Sequence, residues 1–245
     1  KLTDVSSDKY SLDYINSSQK SSTNRDERGL LTWLYDLDKY NKWEIKKTRQ
    51  IPQRIIQKIY SKYIFRKYLK SAFKKTEIEK DSIVFFMHYQ PEATSLPVGQ
   101  NYIEQSNAIN ALRMALPENT KIYVKEHPYQ YKQPIDPRFR PINYYQIISS
   151  IKNVEFLHPM YPSYDLIDQA RCISTLNGKV GFQSLLRKKP VICFGLASYR
   201  NHDGCHFYSN KKNLQYFLNS IDNIDFYLSN NNFLSSLKNK CISGF

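Results

Sequence analysis

Between residues 82 and 194, short β-prone runs alternate with helical segments, and this alternation restricts the chain to few folds. The runs fall at 82–88, 121–126, 154–157, 172–176 and 191–194. The stretches 102–115, 144–151, 164–170 and 180–187 carry apolar residues at helical spacing. Parallel strands need a crossover of about a dozen residues or more, and such helices supply it. The pattern predicts an α/β fold with a Rossmann-like, doubly wound parallel sheet, closed by one or two helices over 211–245. Ligands of such sheets bind beyond the carboxyl ends of the strands. The residues that follow each run are therefore the ones to read for chemistry.

The second run ends in Lys125-Glu126-His127-Pro128. Proline lacks the N–H a strand needs and biases His127 away from helix, so the strand is expected to stop there and present a cation, a carboxylate and an imidazole. The same residues also suit a solvated strand end. After the first run stands Gln90-Pro91-Glu92-Ala93-Thr94-Ser95, where an amide can pair with a sugar or base edge and Glu92 can orient a group or exchange a proton. After the fourth run, Thr175-Leu176-Asn177-Gly178-Lys179-Val180-Gly181 opens a helix. Two glycines there let backbone N–H groups approach a phosphate with the helix dipole behind them. This is neither a P-loop nor a dinucleotide fingerprint. His202-Asp203-Gly204-Cys205-His206 superficially resembles a metal cluster, but one Cys and two His fall short of a zinc site, and a polar substrate loop is the expectation. No metal is expected.

The rest of the 245-residue chain adds context. Residues 1–26 are polar and lack apolar periodicity. Leu30, Leu34, Leu37 and Tyr40 predict a helix over 28–43, and Pro52 opens a second over about 52–75. With no initiator Met, residues 1–80 read as a helical lead-in or the remnant of a preceding domain, and 81–245 as the Rossmann-like domain. The second helix interleaves apolar residues with Lys58, Lys62, Arg66, Lys67, Lys70, Lys74 and Lys75, which fits either a packed helix with a basic face or one lying on an anionic bilayer. Net charge is +14, which implies anionic partners. No apolar run is long enough to span a bilayer. Scattered cysteines, Cys172, Cys193, Cys205 and Cys241, suit reduced thiols and a cytoplasmic setting. No nucleic-acid motif accompanies the charge, so no nucleic-acid partner is expected.

Taken together, Gln90-Pro91-Glu92-Ala93-Thr94, Tyr123 to Pro128, Thr175 to Gly181 and Lys189 to Gly195 resemble the capsule polysaccharide biosynthesis and export family, which includes β-Kdo transferases. The order and spacing of four motifs make the resemblance more specific than any one of them. It implies the C-terminal, nucleotide-binding half of a GT-B glycosyltransferase. It also implies CMP-Kdo as donor, a glycan or glycolipid as acceptor, and no further cofactor.

By that resemblance, His127 contacts the donor phosphate with Lys125 nearby, and Gln90 stands at the cleft. Asn177, Gly178 and Gly181 form the phosphate-facing helix start, with Thr175 just before it, and Gln183 faces the ribose or base. The sequence departs from the family pattern at Lys179, where a small hydroxyl residue is usual, and at Gln183-Ser184, where a Glu precedes a small residue. Lys179 then adds a phosphate contact. In the transferases an Asp near the Gln motif is nucleophilic; here the only carboxylate in that motif is Glu92. Two function classes follow: a capsule glycosyltransferase, cytoplasmic and peripheral at the inner membrane if the basic helix binds lipid, or a non-catalytic sugar-nucleotide or glycan-binding module that needs another domain.

Overall fold

A computed structural model describes residues 51–73, 77–90, 99–131, 135, 137–159 and 161–240. The expected helix over 28–43, Lys74, Lys75, Glu92 and Cys241 lie outside them. Seven strands form one all-parallel sheet: β1 (Ala72–Phe73), β2 (Ile83–Phe86), β3 (Ile122–Lys125), β4 (Val154–Leu157), β5 (Cys172–Thr175), β6 (Val191–Cys193) and β7 (Cys205–Phe207). Their spatial order is β1-β4-β3-β2-β5-β6-β7. The chain winds outward from β2 through β3 to β4, returns to the other side of β2 with β5, and continues to β7. The topological switch point lies between β2 and β5.

The helices are α1 (Ile51–Ser71), α2 (Gln105–Ala115), α3 (Tyr144–Ser149), α4 (Ser163–Gln169), α5 (Lys179–Leu186), α6 (Lys211–Ser220) and α7 (Phe226–Lys240). Side chains alternate across the pleat, which gives two cores. Ile83, Phe85, Ile122, Val124 and Phe156 pack under α1, α2, α3 and α6; Val84, Phe86, Tyr123, Ile173 and Val191 pack under α4, α5 and α7. Strands covered on both faces read as largely apolar runs, which is why β2 and β3 were legible as sequence; β5, Cys-Ile-Ser-Thr, is marked by its β-prone residues instead.

Two edge strands were not expected. β7 occupies part of the stretch read as a substrate loop, and its preceding turn, His202 to Gly204, lies at the amino edge of the sheet, opposite the ligand edge. That corrects the substrate-loop expectation. His202 accepts from Gly204 N through Nδ1 (2.9 Å) and meets Asn230 Oδ1 through Nε2 (3.1 Å), while the His206 ring stacks on Phe217. These side chains diverge into packing. At the other edge, β1 pairs with β4, and Ile64 and Tyr68 of α1 lie in the main core. The expected boundary at 80/81 therefore falls between elements of one sheet. The tyrosines of α1 account for this, because Tyr68 donates to Leu157 O and Tyr60 to Arg140 O (2.7 Å).

Candidate functional site

The carboxyl ends of β3, β2 and β5 lie side by side and carry His127, His88 and Asn177 in that order. Adjacent strands are about 4.8 Å apart, so the ends of β3 and β5, with β2 between them, are separated by roughly 10 Å.

His127 follows β3, and Pro128 then opens a 3-10 turn, Pro128–Tyr131. Its Nδ1 accepts from Tyr129 N (3.2 Å), which leaves the ring proton on Nε2 and makes that edge a donor. Burial lowers its pKa, Glu126 opposes the shift, and Lys125 and Arg140 add to it. The ring stands between Tyr89 and Tyr129, at centroid distances of 6.3 Å and 5.8 Å.

The backbone beneath His127 is fixed from inside the protein. Glu126 Oε1 accepts from His127 N (2.8 Å), and both Glu126 oxygens accept from Arg140, at 2.7 Å from Nε and 3.1 Å from Nη2. The two charged side chains are wholly buried. Arg140 spends its remaining donors on Gln90 Oε1 (2.7 Å), Phe139 O (2.8 Å) and His88 O (3.2 Å). All five guanidinium N–H groups are thereby engaged. Burial works against the guanidinium charge, but Glu126 overcomes it and raises the pKa further. The pair thus ties the end of β2 to the end of β3.

At the switch point, His88 Nε2 lies 3.1 Å from Thr175 Oγ1 and 3.4 Å from Asn177 N. Thr175 Oγ1 in turn donates to Phe86 O (3.2 Å). Burial, with the nearby positive charge of His127 and Arg140, lowers the His88 pKa to about 4, so the imidazole is neutral at neutral pH. A Cβ on Gly178 would stand 2.9 Å from His88 Nε2 and 3.0 Å from Thr175 Oγ1, so the turn needs glycine to admit the imidazole. Gly178 caps α5, and exposed Lys179 opens its first turn. Backbone N–H groups at this helix start face the open edge.

Of the sequence-derived candidates, the carboxyl edge brings together His127, Thr175, Asn177, Gly178 and Lys179. The other described candidates serve the interior. Gln90 is buried, donating to Ile103 O (2.7 Å) and accepting from Gln105 and Arg140. Lys125 is buried and donates to Tyr161 O and to Ser163 Oγ (2.9 Å). A Cβ on Gly181 would fall 2.2 Å from Tyr199 Oη, so this glycine makes room for a tyrosine whose hydroxyl donates to Gly178 O (2.7 Å). Gln183 Nε2 donates to Tyr164 Oη (3.0 Å), and buried Ser184 turns back onto Val180 O (2.7 Å). His88 and Arg140 escaped the sequence reading. His88 stands two residues past a strand, where the rule that selected His127 also applies; nothing local marks a loop arginine for complete burial.

The sequence matches the family described as "Capsule polysaccharide biosynthesis protein" over residues 30–204, well over half of the chain. The chain belongs to that family. No curated protein matches it. Among solved structures, it is similar to the KpsC beta Kdo 2,7 transferase of Thermosulfurimonas dismutans, with 19% identity, a TM-score of 0.42, and 64% of this chain and 47% of that one covered. The beta Kdo 2,4 transferase of the same protein gives 17% identity and 0.37, over 70% and 55%. A UDP-GlcNAc 2-epimerase of Methanocaldococcus jannaschii, in complex with UDP-GlcNAc and UDP, gives 15% identity and 0.43, over 71% and 48%. The capsule-family chain thus spans about half the length of the structures it resembles.

Proposed function

We propose that this capsule-family chain is the nucleotide-sugar-binding half of a GT-B glycosyltransferase. It would transfer a sugar, with CMP-Kdo as the favoured donor, to a glycan or glycolipid acceptor at the cytoplasmic face of the inner membrane. The observation that carries the reading is that His127 and the start of α5 follow the two strands on either side of β2, with His88 between them at the carboxyl edge. Glycosyl transfer from a nucleotide sugar leaves charge on the departing phosphate, and fixed donors aimed at that charge lower the barrier. The His127 edge and the Gly178 and Lys179 N–H groups would supply such donors, with the Lys179 ammonium beside them. Glu92 remains the proposed exchanging carboxylate of the Gln-Pro motif. Fixed cations and N–H groups suffice for the leaving group, so the reading includes no metal.

Half-length coverage of the matched structures favours a second reading, in which the chain binds sugar nucleotide or glycan and completes a catalytic cleft only with another domain. Titration calorimetry with CMP, UDP and GDP, followed by transfer assays with a CMP-sugar, separates the two. Binding selective for CMP together with transfer supports the enzyme. Binding without transfer supports the module, and no nucleotide binding overturns the enzyme and favours the module in its glycan-binding form.

A further inference from the structure

Helix α1 has two apolar faces, and only one meets the sheet. Ile64 and Tyr68 enter the core with Ser61 beside them. On the opposite side Ile55, Ile56, Ile59 and Tyr63 are 53%, 65%, 63% and 42% exposed. At about 100° per residue these four occupy one sector of roughly 100°, centred almost opposite Ile64 and Tyr68. Exposed Lys62, Arg66 and Lys70 lie in or beside the same sector, and no acidic residue occurs between 51 and 71. A helix whose outer side only met water would be polar there.

We propose that this outer face of α1 docks on an anionic lipid bilayer. The isoleucines enter the boundary between headgroups and acyl chains, and the lysines and arginine lie against the headgroup charge. The basic residues choose the occupant: an apolar stripe interleaved with unopposed cations is complementary to an anionic interface, and the chain as a whole carries +14. Among the described residues no helix is long and apolar enough to cross a membrane, so the contact is peripheral.

The placement also bears on the reaction. Tyr68 reaches Glu126 N and Leu157 O, at the carboxyl ends of β3 and β4, and α1 packs on the Pro128–Tyr131 turn. Helix α1 therefore lies on the His127 side of the ligand edge, with its docking face turned away from the sheet. Under the glycosyltransferase reading this geometry suits a lipid-linked acceptor; the bilayer contact itself does not depend on that reading.

Sedimentation with vesicles tests it, using the intact chain on phosphatidylcholine alone and on phosphatidylcholine with 30% phosphatidylglycerol. Two variants accompany it: Ile55→Ser with Ile56→Ser and Ile59→Ser, and Lys62→Gln with Arg66→Gln and Lys70→Gln. The expected result is binding to the anionic vesicles alone, weakened about tenfold or more by each triple substitution, with melting temperature and CMP affinity unchanged. Equal vesicle binding by parent and variants overturns the proposal, as does loss of binding in the charge variant only. A fall in melting temperature, or a change in sedimentation coefficient, for the isoleucine variant also overturns it. Either would mean that the face is covered by protein, either the chain before Ile51 or a second copy. Failure of CMP binding in the parent counts against the glycosyltransferase reading and leaves the vesicle result intact.

Discussion

Two regions of the molecule concentrate histidine, and they do different work. His202 and His206 flank Asp203-Gly204-Cys205 and look in sequence like a binding cluster, whereas His88 and His127 are far apart in the chain and stand alone. The fold reverses that impression. The His202 turn precedes β7 at the amino edge, where its imidazole packs against Phe226 and Phe233 of α7. His88 and His127 follow β2 and β3 at the carboxyl edge, where an all-parallel sheet leaves its crevice. Local density of polar residues says little; the end of the strand on which a residue falls says much.

The comparison can be broken most forcefully at Arg140, whose wholly buried ion pair with Glu126 underlies the carboxyl edge. Arg140→Met leaves the Glu126 carboxylate buried without its partner, and the expected loss is about 3–5 kcal/mol in urea unfolding. A loss below about 1 kcal/mol would show that the pair does not hold that edge together.

Acid should act next most strongly, and unevenly between the regions. The folded His88 imidazole titrates near 4 against an ordinary value of 6.5. As pH falls below 6.5 the unfolded chain therefore takes up this proton first. The contribution of His88 is complete above 6.5, declines between 6.5 and 4, and is gone below, amounting to about 3 kcal/mol. His202 and His206 are shifted in the same direction by burial. Stability measured from pH 7 to 4 should flatten more for His88→Gln than for His202→Gln; the reverse ranking would place the more strongly desolvated histidine at the amino edge.

A pair of single substitutions sharpens the contrast. His127→Ala should weaken CMP binding about ten- to hundredfold, corresponding to roughly 1.5–3 kcal/mol, with the melting temperature unchanged. Calorimetry with a melting control reads both quantities, and unaltered affinity would remove His127 from the phosphate site. His202→Ala should do the opposite at smaller scale, costing about 1 kcal/mol of stability while CMP affinity holds. If it weakens CMP binding instead, the division between the two edges fails.

Much of this architecture could be read before any coordinates. The central strands are covered on both faces, and their largely apolar, β-prone runs identified them within a residue or two; the helices opposite them showed helical periodicity. The edges were not readable, because β1 has only two residues and β7, Cys-His-Phe, is half-buried and lacks the apolar run that marked equally short β6. At the candidate site, strand-end logic selected His127 and the turn before α5, and the fold places both at the carboxyl edge. It overreached where the same positions face inward: Gln90 and Lys125 carry ligand-like groups whose partners, such as Gln105, Arg140 and Ser163, lie far along the chain. Gly181 misled for a related reason, since its lack of a side chain answers to Tyr199, eighteen positions later.

The place of β2 at the centre of the sheet has a kinetic consequence. Its two neighbours are β3, which follows soon after, and β5, which reaches it across a separation of 89 residues. Contacts that close such long loops incur their chain entropy before they return any stabilisation, so they form late and slow the search. On an emerging chain, the β2–β3–β4 side has all its strands in hand while β5 is still to be made. The hydrogen bond from Thr175 to Phe86, and the crevice it borders, then form in the same closing event that docks β5 on β2. Docking of β5 and competence to bind should appear together, with one rate constant for both.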